Sequence, residues 1–180
     1  VLSTVEERIV VRPPRPGDHG SVGGFLIGLS LVSRYHRFFS GIRNITAELV
    51  DAMLTVTSTQ WVLLALDGET VVGHAMAVRA DGQAVDIGVV VADAYQYRGV
   101  GRRLAHELSA VLTASGSTRV RCDVLQENQV VLEWSRRFLA DSRLEPDGET
   151  ITVCGTLAGY KEIGCSAAGP AATAPSAKPV

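Results

Sequence analysis

Three apolar runs stand in close succession, Trp61 to Leu66, Thr70 to Arg79 and Ala84 to Val91. Asp67-Gly68 separates the first two and Asp81-Gly82 the second two. An Asp-Gly pair between such runs supplies the positive φ angles that a tight hairpin needs. The spacing predicts an antiparallel meander of three strands, which excludes an all-helical chain and a purely parallel, doubly wound sheet.

The flanking segments fill in the rest. Glu7 to Arg12 alternates weakly and runs into Pro13-Pro14, as an edge strand does. Residues 17–32 are apolar but carry Gly17, Gly20, Gly23, Gly24 and Gly28. Each glycine inside a helix costs about 1 kcal/mol against alanine, so a helix there is weakly specified. No Gly-Lys-Ser/Thr closes the stretch, so it is not a P-loop. Thr46 is placed to cap a short amphipathic helix through Glu48, Leu49, Ala52 and Met53.

Beyond the meander, Val100, Leu104, Leu108 and Leu112 recur every four residues and predict a helix with one buried stripe, stopped at Ser115-Gly116-Ser117. Thr118 to Leu125 alternates as a strand, Val131, Trp134 and Phe138 mark another packed helix, and Ile151 to Leu157 follows the Pro146-Asp147-Gly148 turn as a last strand. The expected fold is α+β: one mixed, mostly antiparallel sheet with helices on both faces, a single domain over residues 1–157. Residues 158–180 are rich in Ala, Pro and Ser and are expected to be a disordered tail.

Composition narrows the function classes. A net charge of −2 on 180 residues gives no basic field for nucleic acid. Three cysteines with no C-x-x-C pair argue against a disulfide framework. No apolar run approaches the roughly 18 residues of a membrane span, and no signal-peptide pattern opens the chain. No His, Cys and carboxylate cluster has zinc-like spacing, so no metal is expected. The expectation is a cytoplasmic monomer or homodimer, with neither nucleic acid nor membrane as partner.

The segment VVVADAYQYRGVGRRLAHEL, residues 89–108, carries the chemistry. A valine strand meets a polar corner, then Gly99 and Gly101, then a helix opening with Arg102 and Arg103. A helix start presents unpaired backbone N–H groups and about half a positive charge. Glycines there let an anion such as a diphosphate approach the backbone, and Arg98, Arg102 and Arg103 add charge-assisted contacts. The same residues also fit an ordinary strand-to-helix turn with surface arginines. A dinucleotide site is disfavoured: the third glycine of G-x-G-x-x-G is missing, and the preceding strands are antiparallel.

Gln96-Tyr97-Arg98-Gly99-Val100-Gly101 resembles the Q/R-x-x-G-x-G/A signature of the GNAT acetyltransferases, set between a valine strand and an amphipathic helix. Val120 to Leu125 followed by Glu127-Asn128 resembles that family's next strand and the asparagine opening its next helix. The segment SRYHRFF, Ser33 to Phe39, resembles bacterial protein-lysine acetyltransferases of the Pat type. The likeness runs over residues 8–157. It implies that the signature's amides hold the diphosphate of acetyl-CoA, and that the pantetheine arm lies where the strand ending at Val91 splays from the strand around Val120 to Val124. Backbone groups of Val89, Val90 and Val91 would then meet the arm and the acetyl carbonyl, with Asn128 nearby. The implied reaction is acetyl transfer to an amine such as a protein lysine. The alternative is an acyl-CoA-binding regulatory or sensor domain with little or no catalysis.

Three residues are candidates for proton transfer. Asp86 lies ten residues before Gln96, where Pat-like enzymes usually carry glutamate. Burial beside Val85 and Ile87 would raise its pKa toward that of a useful base, though the same position suits a solvent-facing strand-end carboxylate. His74, one strand away and expected on a face with Val72 and Met76, is either a rival base or a hydrogen-bonded core residue. Ser135 stands seven residues after Asn128, where many GNAT enzymes have a tyrosine acid, and Leu139-Ala140 replaces that family's Gly-Phe ending. Tyr95 and Tyr97 lie by the cradle but suit packing or surface roles. Arg34, Tyr35 and Arg37 could line the acceptor side, with Phe38 and Phe39 in the core. Glu48 and Asp51 could attract a cationic acceptor or simply face solvent.

Overall fold

A computed structural model describes residues 8–79 and 84–157. It forms one seven-stranded sheet in the order β1-β2-β3-β4-β5-β7-β6. The strands are β1 (Ile9–Arg12), β2 (Gln60–Asp67), β3 (Thr70–Arg79), β4 (Ala84–Val91), β5 (Arg119–Leu125), β6 (Leu139–Asp147) and β7 (Thr150–Leu157). The helices are α1 (Asp18–Gly28), α2 (Leu31–Phe38), α3 (Ala47–Leu54), α4 (Val100–Ala114) and α5 (Gln129–Phe138). The meander is present, since β2 pairs antiparallel with β3 and β3 with β4. Its Asp81-Gly82 turn and the 158–180 tail lie outside the described residues.

Each sheet face has its own core. On one face Val100, Leu104, Leu108 and Leu112 of α4, all at most 2% exposed, pack on Ala75, Val85, Ile87 and Val89. Full burial of such side chains stabilises by about 1.5–3 kcal/mol each. The α4 helix comes close to β3, where a Cβ on Gly73 would lie 2.8 Å from Leu104 Cδ1. On the other face Val22, Phe25 and Leu26 of α1, with Val50 and Met53 of α3, cover Leu64, Leu66, Val71 and Val90.

Two segments differ from the sequence expectation. The glycine-rich stretch and SRYHRFF form two helices, α1 and α2, joined at Leu29-Ser30. Gly17 begins α1 in the left-handed region without a side-chain cap. Asp18 does the anchoring there: Arg12 donates to both of its oxygens at 2.7 and 2.8 Å, and Arg15 N donates at 2.6 Å. The second difference is β6, a seventh strand that alternation did not reveal. It is a sheet edge with few buried side chains, it contains Pro146, and a bulge around Asp141 (φ 51°) interrupts its pairing with β7.

Candidate active site

The parallel pair β4 and β5 is joined at three positions, Ala84↔Arg119, Val85↔Val120 and Asp86↔Arg121. No ladder links Ile87–Val91 to Cys122–Leu125 among the described residues, so the strands part into a wedge whose vertex is Asp86 and Arg121. The α4 helix opens just past the mouth of the wedge, after the 3-10 turn Asp93–Tyr95. Gly99, its N-cap residue, has φ 87° and ψ −13°, and no side chain caps the helix. The first amides of a helix point outward at such a start, where an anion can accept from them. Gly101 is buried, Arg98 exposed, and Arg102 and Arg103 half-buried beside these amides.

The rest of the signature shapes the loop. Gln96 donates its amide hydrogens to Val91 O and Ser33 Oγ, both at 3.0 Å, so it holds the corner from within. Tyr97 adopts a left-handed φ of 59° with its ring 66% exposed. Tyr95 packs inward and donates to Asp67 Oδ2 at 3.1 Å. Asn128 caps α5, its Oδ1 accepting from Val131 N at 3.3 Å.

A carboxylate that motif reasoning passed over ties this corner to α2. Asp93 accepts from Ser30 N at 2.9 Å, Ser30 Oγ at 2.7 Å and Ser33 Oγ at 2.9 Å. Burial works to raise its pKa, but these hydrogen bonds outweigh it and hold the carboxyl below its usual value. Farther along α2, Tyr35 donates to Glu149 Oε2 at 3.2 Å, and His36 Nε2 lies 3.4 Å from Glu127 Oε1. The helix thus reaches from the cradle corner to the β5–α5 loop and the β6–β7 turn. It spans the mouth of the wedge on the face opposite α4.

The proton-transfer candidates fare unequally. Asp86 stands at the vertex, half-buried and paired. Arg121 Nε and an Nη donate to its two oxygens at 2.6 and 2.8 Å, and this pairing raises the Arg121 pKa. A proton taken up by Asp86 has to disturb that bidentate pair.

His74 is not placed for catalysis. It is fully buried, and its Nε2 lies 2.8 Å from Met53 O, which makes Nε2 the protonated nitrogen. Burial, with the nearby Arg37 charge, lowers its pKa to about 3, so it is a feeble base at neutral pH. Nor does it share a face with Val72: β2 and β3 shift register at Ala65/Leu66, and Val72 joins the α4-side core.

Ser135 is 2% exposed with Cys122 Sγ 4.0 Å from its Oγ, a short buried hydroxyl in place of an acid that can reach. It does line a cavity between α4 and α5, beneath the wedge. Cys122 is no nucleophile, because burial pushes its thiol pKa up to about 12. Burial, then Glu145, raises that of Cys154 as well.

Of the expected acceptor-side residues, Tyr35 keeps a half-exposed position. Arg34 closes the end of α1 by donating to Leu29 O at 3.1 Å and Ile27 O at 2.8 Å. Arg37 is buried with an Nη 3.9 Å from Met76 Sδ, and burial lowers its pKa to about 10. Phe38 is core and Phe39, in a left-handed conformation, half-buried. Glu48 is exposed, and Asp51 pairs with His19 at 3.3 Å.

A parallel pair that opens into a wedge beside an uncapped helix start suits an extended ligand with an anionic end. A model of the acetyltransferase (GNAT) family matches residues 31–139, more than half of the sequence. The chain belongs to that family and is an N-acetyltransferase by membership. Its fold is similar to the GNAT domain of Streptomyces lividans PAT, at TM-score 0.74 and 22% identity, over 82% of this chain and 89% of that one. It is also similar to a GCN5-related N-acetyltransferase from Kribbella flavida, at TM-score 0.67 and 19% identity, over 83% and 97% of the two chains. PaiA N-acetyltransferase from Thermoplasma acidophilum, solved in complex with coenzyme A, aligns at TM-score 0.66 and 14% identity over 82% and 98%. No curated protein matches the sequence. No helix among the described residues is long and apolar enough to cross a membrane.

Proposed function

We propose that this protein transfers an acetyl group directly from acetyl-CoA to a primary amine, the side chain of a protein lysine. The observation that carries the reading is the uncapped start of α4 behind a left-handed Gly99, at the mouth of the β4–β5 wedge. Acetyl-CoA supplies the activated acyl group and a thiolate that can depart. The amides of Val100, Gly101 and Arg102, with the side chains of Arg98, Arg102 and Arg103, hold the diphosphate. The unpaired edge of β4 at Val89 and Val90 orients the arm, and Gln96 keeps Val91 and the corner in place.

The amine reaches the vertex from the α2 face, where Glu127 and the α2-facing Glu149 favour a cationic approach. A lysine of pKa about 10.4 is neutral about once in a few thousand molecules at pH 7. Asp86 takes its proton, directly or through one water, for a factor of about 10² to 10⁴. Holding both reactants in line contributes more, roughly 7–11 kcal/mol. Direct transfer is favoured over a cysteine relay because both described cysteines have raised pKa values.

The test is free-thiol release from acetyl-CoA with lysine proteins, polyamines and amino sugars. Release is expected with lysine proteins; none above the protein-free rate with any acceptor defeats the enzyme reading. The Asp86–Arg121 pairing favours a second reading, a CoA-binding sensor domain with its carboxylate locked away. Calorimetric binding of acetyl-CoA without transfer to any acceptor distinguishes it.

A further inference from the structure

The cavity under the wedge is walled by Ile87 and Val89 of β4, Cys122 of β5, Leu108 and Leu112 of α4, and Trp134 of α5. Ile87 and Cys122 are the first residues beyond the last paired position, Asp86↔Arg121. The cavity therefore sits where the wedge narrows to its vertex, on the same sheet face as α4. An acyl carrier anchored at the start of α4 and laid along β4 would bring its thioester toward Val89, which lines this space.

The walls select by chemistry. They are mostly hydrocarbon, with the Cys122 thiol and the Ser109 and Ser135 hydroxyls among them, and include the stacked rings of Trp134 and Phe138, whose centroids are 4.6 Å apart. The Ser109 hydroxyl in the wall already donates to Ala105 O at 2.7 Å. Among the described residues no charged side chain lines the space, so an acyl group ending in a carboxylate would be buried there without a partner from them. The cavity has a volume of about 20 Å³, enough to hold a water-sized group. That fits one or two carbons beyond an acetyl methyl, and a long chain would have to displace wall residues such as Leu139 and Leu157.

Resting on the function proposed above, we infer that this cavity is an acyl pocket and that the enzyme binds propionyl- and butyryl-CoA more tightly than acetyl-CoA. The test needs no turnover. Affinities for acetyl-, propionyl-, butyryl-, hexanoyl- and succinyl-CoA are measured by calorimetry without an acceptor. Affinity is expected to rise about fourfold per added methylene up to butyryl, the value for burying a CH₂, and to fall at hexanoyl and succinyl. Ala105→Val and Ser109→Leu, which fill the space from α4, should each collapse the butyryl-to-acetyl affinity ratio. Leu112→Ala, which enlarges it, should move the optimum toward hexanoyl. Equal affinities from acetyl to butyryl, or a butyryl preference that survives both filled variants, overturn the pocket while leaving the acetyl-CoA site intact. Failure of acetyl-CoA itself to bind overturns both.

Discussion

At the scale of single residues, the proposed mechanism turns on Asp86, which Arg121 grips with two hydrogen bonds. Asp86→Ala is expected to cut turnover at pH 7 by about 10² or more. It should recover partly at pH 10, where the lysine amine deprotonates unaided; a flat response across pH would remove Asp86 from the mechanism. The carboxylate itself was legible in the sequence from its distance to the glycine signature. Its partner was not, because Arg121 comes beside it only through the parallel register of β4 and β5, across 35 positions of chain. Of the two readings open for His74, the structure shows the hydrogen-bonded core residue, which the sequence could not decide because Met53 O comes beside it only through the fold. Asp93 was invisible too, although it joins Ser30 and Ser33 to the corner. Asp93→Ala should weaken acetyl-CoA binding several-fold by loosening that corner, and Asp93→Asn, which keeps an acceptor oxygen, should restore part of the affinity in the same titration.

Among the elements, the meander, α4 and α5 followed from alternation and four-residue spacing, which are strong signals where one face is buried. The β6 strand escaped because an edge strand with a bulge and a proline has little to alternate. The α1 helix formed despite its glycines because Val22, Phe25 and Leu26 bury on the sheet, and tertiary packing outweighed propensity. Its start depends on Asp18. The hydrogen bonds from Arg12 lower that carboxyl to a pKa of about 2, against the opposing effect of burial. Because the folded pKa lies below the unfolded one, the stabilisation is complete above the ordinary carboxylate range and is lost as pH falls through about 2. Asp18→Asn should therefore lower stability at pH 6 and flatten its decline between pH 4 and 2, as read by urea unfolding. Tight packing sets a limit at β3. Gly73→Ala places a Cβ 2.8 Å from Leu104 Cδ1 and 3.3 Å from Ala65 Cβ. It should cost about 1–3 kcal/mol in the same assay, since the leucine methyl can yield but the alanine cannot.

For the molecule as a whole, acetyl-CoA binding has to register as stability. A ligand at a hundredfold excess over its Kd adds about 2.7 kcal/mol, which for a domain of this size raises Tm by roughly 5–10 °C. Gly101→Glu should keep the native circular dichroism spectrum and abolish that rise, because a carboxylate then crowds the amides proposed to hold the diphosphate. A Tm shift that persists in this variant would place the carrier elsewhere.

The three-residue seam between β4 and β5 has a mechanical consequence. It leaves the sheet as two panels, one of four strands and one of three, stitched near one end and able to flex about that stitch. Whatever occupies the gap becomes a splint. Amide hydrogen exchange at Cys122–Leu125 should slow on ligand addition much more than exchange within β2 and β3, so that grasping the carrier and stiffening the molecule are one event.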